Sequence, residues 1–265
     1  MRARASVAVT IRRLQIWYAT IAVGVGMDAP PGAAAAGAPP ASLKTRARPS
    51  PIRGMVPVTF PKCYRRRMSK GSDYCIKPGY RSRLENEHHD DTGFRDEWQR
   101  EVYVYAAELM QRERLASVID IGCGSGFKLV SLLGEFETIG VEVPPAYDLL
   151  RSTYPERTWF HWTEMPKPGM CADLVMASDV IEHFPDPGDL IAMIQAIPSR
   201  YVVLSTPERD LIRGKADFGP PENVAHCREW NTDEFRRYAS LHFDVIDHAI
   251  TNREQGTQLV LCRPR

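Results

Sequence analysis

Residues 118–126 are Val-Ile-Asp-Ile-Gly-Cys-Gly-Ser-Gly, an apolar run with β-branched side chains that ends in three alternate glycines. The apolar run predicts a buried strand over residues 117–121. The glycines allow positive φ angles and a close approach of the backbone to a ligand. Residues 127–133 then predict a helix that stops near Gly134. This strand, turn and helix form the unit from which the rest of the fold is predicted.

Strands and helices continue to alternate along the chain around this unit. Further strands are predicted at 138–142, 158–162, 174–178 and 201–205, with two late candidates at 243–250 and 258–262. Helices are predicted at 97–111, 146–154, 190–197 and 231–240, and the last opens with a capping box formed by Asn231 and Glu234. This order predicts an α/β fold, a mostly parallel sheet with helices on both faces that binds its ligand at the carboxyl ends of the strands.

The glycine turn fits neither of two common nucleotide-binding motifs. A dinucleotide fingerprint and a P-loop both require glycine where this chain has Phe127, and a P-loop also requires Ser or Thr at Leu129. Glu142 ends the second predicted strand 18 residues after Gly124. A carboxylate in that position can accept hydrogen bonds from both hydroxyls of a ribose. The turn therefore favours an adenosine-type ligand without a pyrophosphate and disfavours a nicotinamide-dependent oxidoreductase.

Three segments together resemble class I S-adenosylmethionine-dependent methyltransferases, and most closely their type 11 and type 23 branches. These segments are residues 118–126, Glu142 and residues 172–183, which read ADLVMASDVIEH. The resemblance covers about residues 95–263, and it implies S-adenosylmethionine as cofactor and a Rossmann-like seven-stranded sheet, mostly parallel, with an antiparallel last strand. The cofactor-binding residues that it implies are Asp120, Gly122, Cys123, Gly124, Gly126, Glu142, Val143, Ser178 and Asp179. Residues 161–164 (HWTE) depart from the family pattern for the adenine contact.

The residues that would act on the methyl acceptor follow the fourth predicted strand. An oxygen nucleophile can need a base, and the candidates are His183 and His226, with His161 as a third. Asp179, Glu182 and His183 have i, i+3, i+4 spacing, so a helical turn would bring them together. Two carboxylates and one histidine form a weak ligand set on their own, and no metal site is expected.

A long loop from Thr206 to Asn231 resembles loops of methyltransferases that act in glycan and glycolipid pathways. Two interpretations of residues 228–230 (Arg-Glu-Trp) stay open: they contact a polyhydroxylated or anionic acceptor, or the tryptophan fills the core while the arginine and glutamate pair at the surface. The predicted function is O-methylation of a small-molecule or glycan-linked acceptor. The alternatives are a non-catalytic S-adenosylmethionine-binding domain and, less favoured, the oxidoreductase.

The net charge of +1 conceals two segments of opposite charge. Residues 1–83 contain 16 Lys and Arg but only two acids, whereas residues 84–265 carry a net charge of −13. We interpret residues 1–55 as a targeting segment or the product of a wrongly assigned start codon. We then expect residues 56–94 to form a basic extension or a lid, and residues 95–265 to form the methyltransferase domain.

Composition limits the partners and the compartment. The chain is 43% hydrophobic and 25% charged, which is typical of a globular protein. Its six cysteines include no CxxC pair, so a reducing, cytoplasmic compartment is expected. No run of 18 apolar residues occurs, so we expect no stable membrane insertion. We interpret the basic strip at 61–83 as solvated, or as a lid, rather than as a nucleic-acid surface, and residues 88–91 (HHDD) as a solvated loop.

Overall fold

A computed structural model describes residues 74–87 and 90–265 of the protein. The expectations for residues 1–73, 88 and 89 lie outside these described residues. The strands are β1 (Ser117–Ile121), β2 (Glu137–Glu142), β3 (Thr158–His161), β4 (Leu174–Ser178), β5 (Tyr201–Pro207), β6 (Asp244–Asn252) and β7 (Thr257–Arg263). The helices are α1 (Arg100–Glu113), α2 (Phe127–Leu133), α3 (Ala146–Thr153), α4 (Pro187–Gln195), α5 (Arg209–Arg213) and α6 (Thr232–His242).

The predicted Rossmann-like sheet is confirmed. Seven strands pair in the order β3-β2-β1-β4-β5-β7-β6. Strands β1 to β5 are parallel to one another, and β7 is antiparallel to both β5 and β6. Because β1 and β4 are adjacent and parallel, the residues that follow them meet at the same edge of the sheet.

Apolar side chains that alternate along the strands fill a core on each face of the sheet. Ile119 and Ile121 of β1 pack on the face covered by α4 and α6. Val118 packs on the opposite face, which is covered by α1, α2 and α3. The two-sided burial explains why the central strands are almost wholly apolar.

Two elements differ from the sequence prediction because of local capping. Helix α4 begins at Pro187 rather than at residue 190, since Asp186 caps it by accepting a hydrogen bond from the Gly188 amide at 2.9 Å. The short helix α5 was not predicted, and it starts where the Glu208 carboxylate accepts a hydrogen bond from the Leu211 amide at 2.6 Å. The predicted capping box at the start of α6 is present.

A segment that we call the N-terminal strap, residues 74–87, lies along the insert, residues 208–231. Main-chain amides of the strap donate to carbonyls of the insert, from Arg81 to Phe218 and from Arg83 to Cys227, each at 2.8 Å. The guanidinium groups of these two arginines also bond to carbonyls of the insert. In the described part of the chain, the side chains of Arg81 and Arg83 therefore attach the strap to the main chain of the insert.

None of the helices in the described ranges combines the length and the apolar character needed to cross a lipid bilayer.

Candidate active site

Asp120 lies at the start of the site, at the carboxyl end of β1. Its side chain is fully buried, and its Oδ2 accepts a hydrogen bond from the Tyr103 hydroxyl at 2.7 Å. Its Oδ1 has no hydrogen-bond partner among the described residues. Burial raises the pKa of Asp120 to about 7, although the bond from Tyr103 lowers it. A buried acceptor without a partner suits a ligand that brings a donor or a positive charge.

The glycine turn after β1 requires glycine for two separate reasons. Gly122, Gly124 and Gly126 all have positive φ angles, of 78°, 57° and 72°. A Cβ atom at Gly122 would lie 2.5 Å from Val180 Cγ2, and one at Gly126 would overlap Leu150. The glycine turn therefore packs directly against Val180, in the segment that follows β4. Cys123 lies in the turn, but its side chain is buried in the core, so only its main chain can contribute to a ligand site.

Glu142, at the end of β2, is bonded to the glycine turn. Its Oε1 accepts a hydrogen bond from the Gly124 amide at 3.0 Å, and its Oε2 accepts one from the Val143 amide at 2.7 Å. Burial raises the pKa of Glu142 to about 7 despite these two bonds. Each carboxylate oxygen retains a further lone pair, so the group can still accept donors from a ligand.

Ser178 and Asp179 are held by a residue that the sequence analysis missed. Ser205 Oγ, on β5, lies 3.2 Å from Ser178 Oγ and donates to Asp179 Oδ1 at 2.5 Å. Asp179 adopts a φ of 53°, and burial raises the pKa of its carboxyl group. No signal in the sequence joins these residues, since they are brought together only by the pairing of β4 with β5.

The turn after Asp179 brings Glu182 and His183 to His226 of the insert. One possible ligand atom from each of the three lies within 4.8 Å of the others. The two imidazole rings are 4.8 Å apart at an angle of 88°. Glu182 is fully buried, and its Oε1 has no hydrogen-bond partner in the part of the chain that the structure describes. Burial, and then the charge of Asp179, raise the pKa of Glu182 well above its usual value.

The hydrogen bonds of the two histidines indicate their tautomers. His183 Nδ1 lies 2.9 Å from the Ala225 carbonyl, which can only accept, so Nδ1 carries a hydrogen and the neutral ring has its lone pair on Nε2. His226 Nδ1 donates to the Glu229 carboxylate at 2.8 Å. Asn223 Nδ2 donates to His226 Nε2 at 3.0 Å. His226 is thus engaged at both ring nitrogens, so it can act as a base through Nε2 only if Asn223 releases that atom.

Three other sequence candidates are not part of this cluster. His161 Nδ1 bonds to Thr163 Oγ1 at 2.7 Å, and its ring packs against Tyr147. Trp230 is fully buried in the core, as one of the two open interpretations required. Arg228 is buried as well and bonds to two main-chain carbonyls, so neither interpretation describes it.

Glu229 departs from both interpretations too. Its side chain is buried, and it bonds to His226 and to Arg213 at 3.0 Å. Residues 228–230 are therefore buried beneath the site, where they bond to other parts of the protein, and they do not face an acceptor.

The family comparison agrees with this geometry. The model of a family described as a methyltransferase domain matches residues 89–256. No protein of curated function matches the chain in sequence.

Several solved structures are similar in fold. The PH0226 protein from Pyrococcus horikoshii OT3 has a TM-score of 0.51 at 16% identity, over 74% of this chain and 100% of that one. The methyltransferase domain of a bacterial protein designated CtHen1-CN has a TM-score of 0.49 at 21% identity, over 62% and 98% of the two chains. The plantazolicin methyltransferase BpumL in complex with SAH has a TM-score of 0.46 at 13% identity, over 63% and 82%. At these identities the likeness concerns the fold alone.

Proposed function

We propose, from the premise that the chain belongs to the methyltransferase domain family, that it transfers the methyl group of S-adenosylmethionine to an oxygen atom of a small-molecule or glycan-linked acceptor. One observation carries the proposal: the glycine turn packs on Val180, so the cofactor side and the cluster of Glu182, His183 and His226 share one edge of the sheet. Bound S-adenosylmethionine would supply an electrophilic methyl group on a sulfonium.

The cofactor side fits a ligand with positive charge and a ribose. Asp120 has a buried oxygen without a partner among the described residues, and Glu142 stands where ribose hydroxyls can donate to it. Asp179 adds a third buried carboxyl. The backbone of Gly122, Gly124 and Gly126, together with Val143 and Ser178, completes this side of the proposed site.

The acceptor side has two possible chemistries, a histidine base or a metal ion. The sequence analysis expected no metal, yet three features favour one. The donors are a buried carboxylate and two imidazoles, which suit Zn²⁺, Mn²⁺ or Fe²⁺. Glu182 Oε1 has no partner within the described ranges. Both histidines donate Nδ1–H to an oxygen, as ligating histidines usually do.

We therefore assign Glu182, His183 and His226 as ligands of a divalent cation, with His183 as a base in its absence. A cation there would supply a Lewis acid that lowers the pKa of an acceptor hydroxyl. An oxygen acceptor needs this help because a neutral alcohol is a weak nucleophile. Asn223 donates to His226 Nε2, so its amide must turn away for His226 to bind a cation through that atom.

The test of the cofactor assignment is calorimetry of the full chain with S-adenosylhomocysteine. We expect binding in the wild type and its loss in Gly124→Arg, whereas Gly169→Arg, at a position with no atom within 4 Å of a new Cβ, retains it. Absence of binding in the wild type would refute the methyltransferase assignment.

Transfer and the role of the cation are tested together. The protein is incubated with methyl-labelled S-adenosylmethionine and fractions of a cell extract, before and after treatment with EDTA and after addition of Mn²⁺. In the wild type we expect methyl transfer that EDTA abolishes and Mn²⁺ restores. His226→Gln should abolish methyl transfer, whereas His242→Gln should retain it. Transfer that persists in EDTA would leave His183 as a base, and binding of cofactor with no transfer to any fraction would favour a non-catalytic domain.

A further inference from the structure

The turn that carries Glu182 and His183 has four successive carbonyls that accept hydrogen bonds from residues outside it. The Cys227 amide donates to the Glu182 carbonyl at 2.7 Å. Arg228 donates to the carbonyls of Phe184 at 2.6 Å and Pro185 at 2.8 Å. These bonds come from the insert and fix the path of the main chain on both sides of His183.

The remaining carbonyl of the four, that of His183, accepts a bond from Cys227 Sγ of the insert at 3.5 Å and one from the N-terminal strap. Asn86 Nδ2 donates to it at 2.9 Å. The same amide nitrogen donates to the Ala225 carbonyl at 2.6 Å. That carbonyl also accepts the Nδ1 hydrogen of the His183 ring at 2.9 Å. One side-chain amide thus contacts the main chain of His183 and the group that orients its ring.

We propose that Asn86 is a positioning residue, which fixes the tautomer and the orientation of the His183 imidazole by holding the Ala225 carbonyl against it. The two hydrogens of the Asn86 amide both point at carbonyl oxygens, an arrangement that only a side chain with two donors can provide. The inference rests on the proposed function only in that His183 acts in catalysis.

Asn86 lies outside the residues that match the family, so the proposed role is additional to those of the family's domain. The family match begins at residue 89, so the strap lies before it. Asn86 is half-buried, whereas its neighbours Glu85 and Glu87 are exposed. The strap has other attachments, such as the bond from Trp230 Nε1 to the Tyr74 carbonyl at 2.9 Å, so a change at Asn86 need not release it.

The matched substitution is Asn86→Asp, which keeps the size of the side chain and removes both donors. An ionised carboxylate there would face two carbonyl oxygens and repel them, so the Ala225 carbonyl would no longer be held in place. The ring of His183 would then lose its fixed acceptor and exchange between its two neutral tautomers. Glu85→Gln is the control, because it changes an exposed side chain of the same strap.

The experiment is nitrogen NMR of the full chain labelled at histidine, without cofactor or acceptor, with the His183 signals assigned from the His183→Gln variant. In the wild type we expect the signals of a single tautomer with hydrogen on Nδ1. In Asn86→Asp the two nitrogen signals of His183 should move towards each other, while those of His242 and His248 stay in place. Glu85→Gln should give the wild-type spectrum.

The inference would be overturned by a His183 spectrum that is unchanged in Asn86→Asp, or by a wild-type His183 that already averages its tautomers. Signals that move for all histidines would also overturn it, since they would indicate general loosening of the structure. Because the measurement uses no cofactor, acceptor or metal, it gives its answer even if the protein proves not to be a methyltransferase.

Discussion

The two carboxyl groups that frame the cofactor side should make the protein less stable as pH rises. Burial raises the pKa of Asp120 and of Glu142 to about 7. In the unfolded chain both ionise near pH 4. Between about pH 4 and 7 the folded state therefore holds protons that the unfolded state has released, and the free energy of unfolding falls as pH increases. Below this window both states are protonated, and above it both are ionised, so neither group contributes a further slope.

The magnitude follows from the size of each pKa shift. A shift of one pKa unit corresponds to about 1.4 kcal/mol, so each carboxyl contributes a slope of about 1.4 kcal/mol per pH unit within its window. Glu142, whose pKa burial raises to about 7, would cost about 3 kcal/mol when fully ionised. Glu142→Gln removes that cost but also loses the acceptor for one of two amide bonds, worth about 1 kcal/mol.

Glu142→Gln should therefore have about the same stability as the wild type at pH 5, where the raised pKa already costs the wild type about 1 kcal/mol, and be about 2 kcal/mol more stable at pH 8. Urea denaturation of the ligand-free full chain at four pH values between 5 and 8 measures this growing difference. The control is Glu254→Gln, at an exposed position, which should follow the wild-type curve. A difference between Glu142→Gln and the wild type that is the same at every pH would refute the reasoning.

Three further changes test the packing around the site. Arg228→Met leaves two buried carbonyls without donors and should lower the free energy of unfolding by about 2–4 kcal/mol in urea denaturation; a loss below about 0.5 kcal/mol would contradict this role. Gly126→Ala, with its positive φ and its overlap with Leu150, should cost about 1–3 kcal/mol by the same measurement, whereas Gly93→Ala, which meets no atom, should stay within about 0.5 kcal/mol. A chain that starts at residue 95 lacks the strap and should melt about 5 °C or more below one that starts at residue 68, and equal melting temperatures would show that the strap adds no stability.

Most of the glycine turn and its flanking strands could be predicted from the sequence because their signals are local. The bounds predicted for β1, α2 and β4 agree with the structure to the residue, since each is a short periodic run ended by glycine or a polar residue. The bond between Glu142 and Gly124 was not predicted as such, but the spacing placed the two at one edge of the sheet. The prediction was less accurate for α1, which begins at Arg100 rather than at residue 97, and for α4 and α5, whose starts depend on single capping side chains.

The cluster of Glu182, His183 and His226 could be predicted only in its parts. The i, i+3, i+4 spacing of 179–183 placed Glu182 and His183 on one turn, but His226 was a candidate with no known distance to them. For residues 228–230 the sequence left open either an acceptor contact or a core position for Trp230 with a surface pair of Arg228 and Glu229, and the structure buries all three. Their partners are carbonyls and side chains of other segments. The hydrophobic periodicity of a sequence does not indicate such contacts.

The sequence by itself therefore determined the α/β sheet, its glycine turn and the family, because hydrophobic periodicity and turn chemistry act over a few residues. Only the tertiary structure decided which residues surround His183. Asn86 lies 97 positions before it and Ala225 lies 42 positions after it, and both reach it through hydrogen bonds to main-chain carbonyls. Every residue carries a main-chain carbonyl, so the sequence does not indicate which donor will bond to a given one. That partner is determined only when the segments pack together.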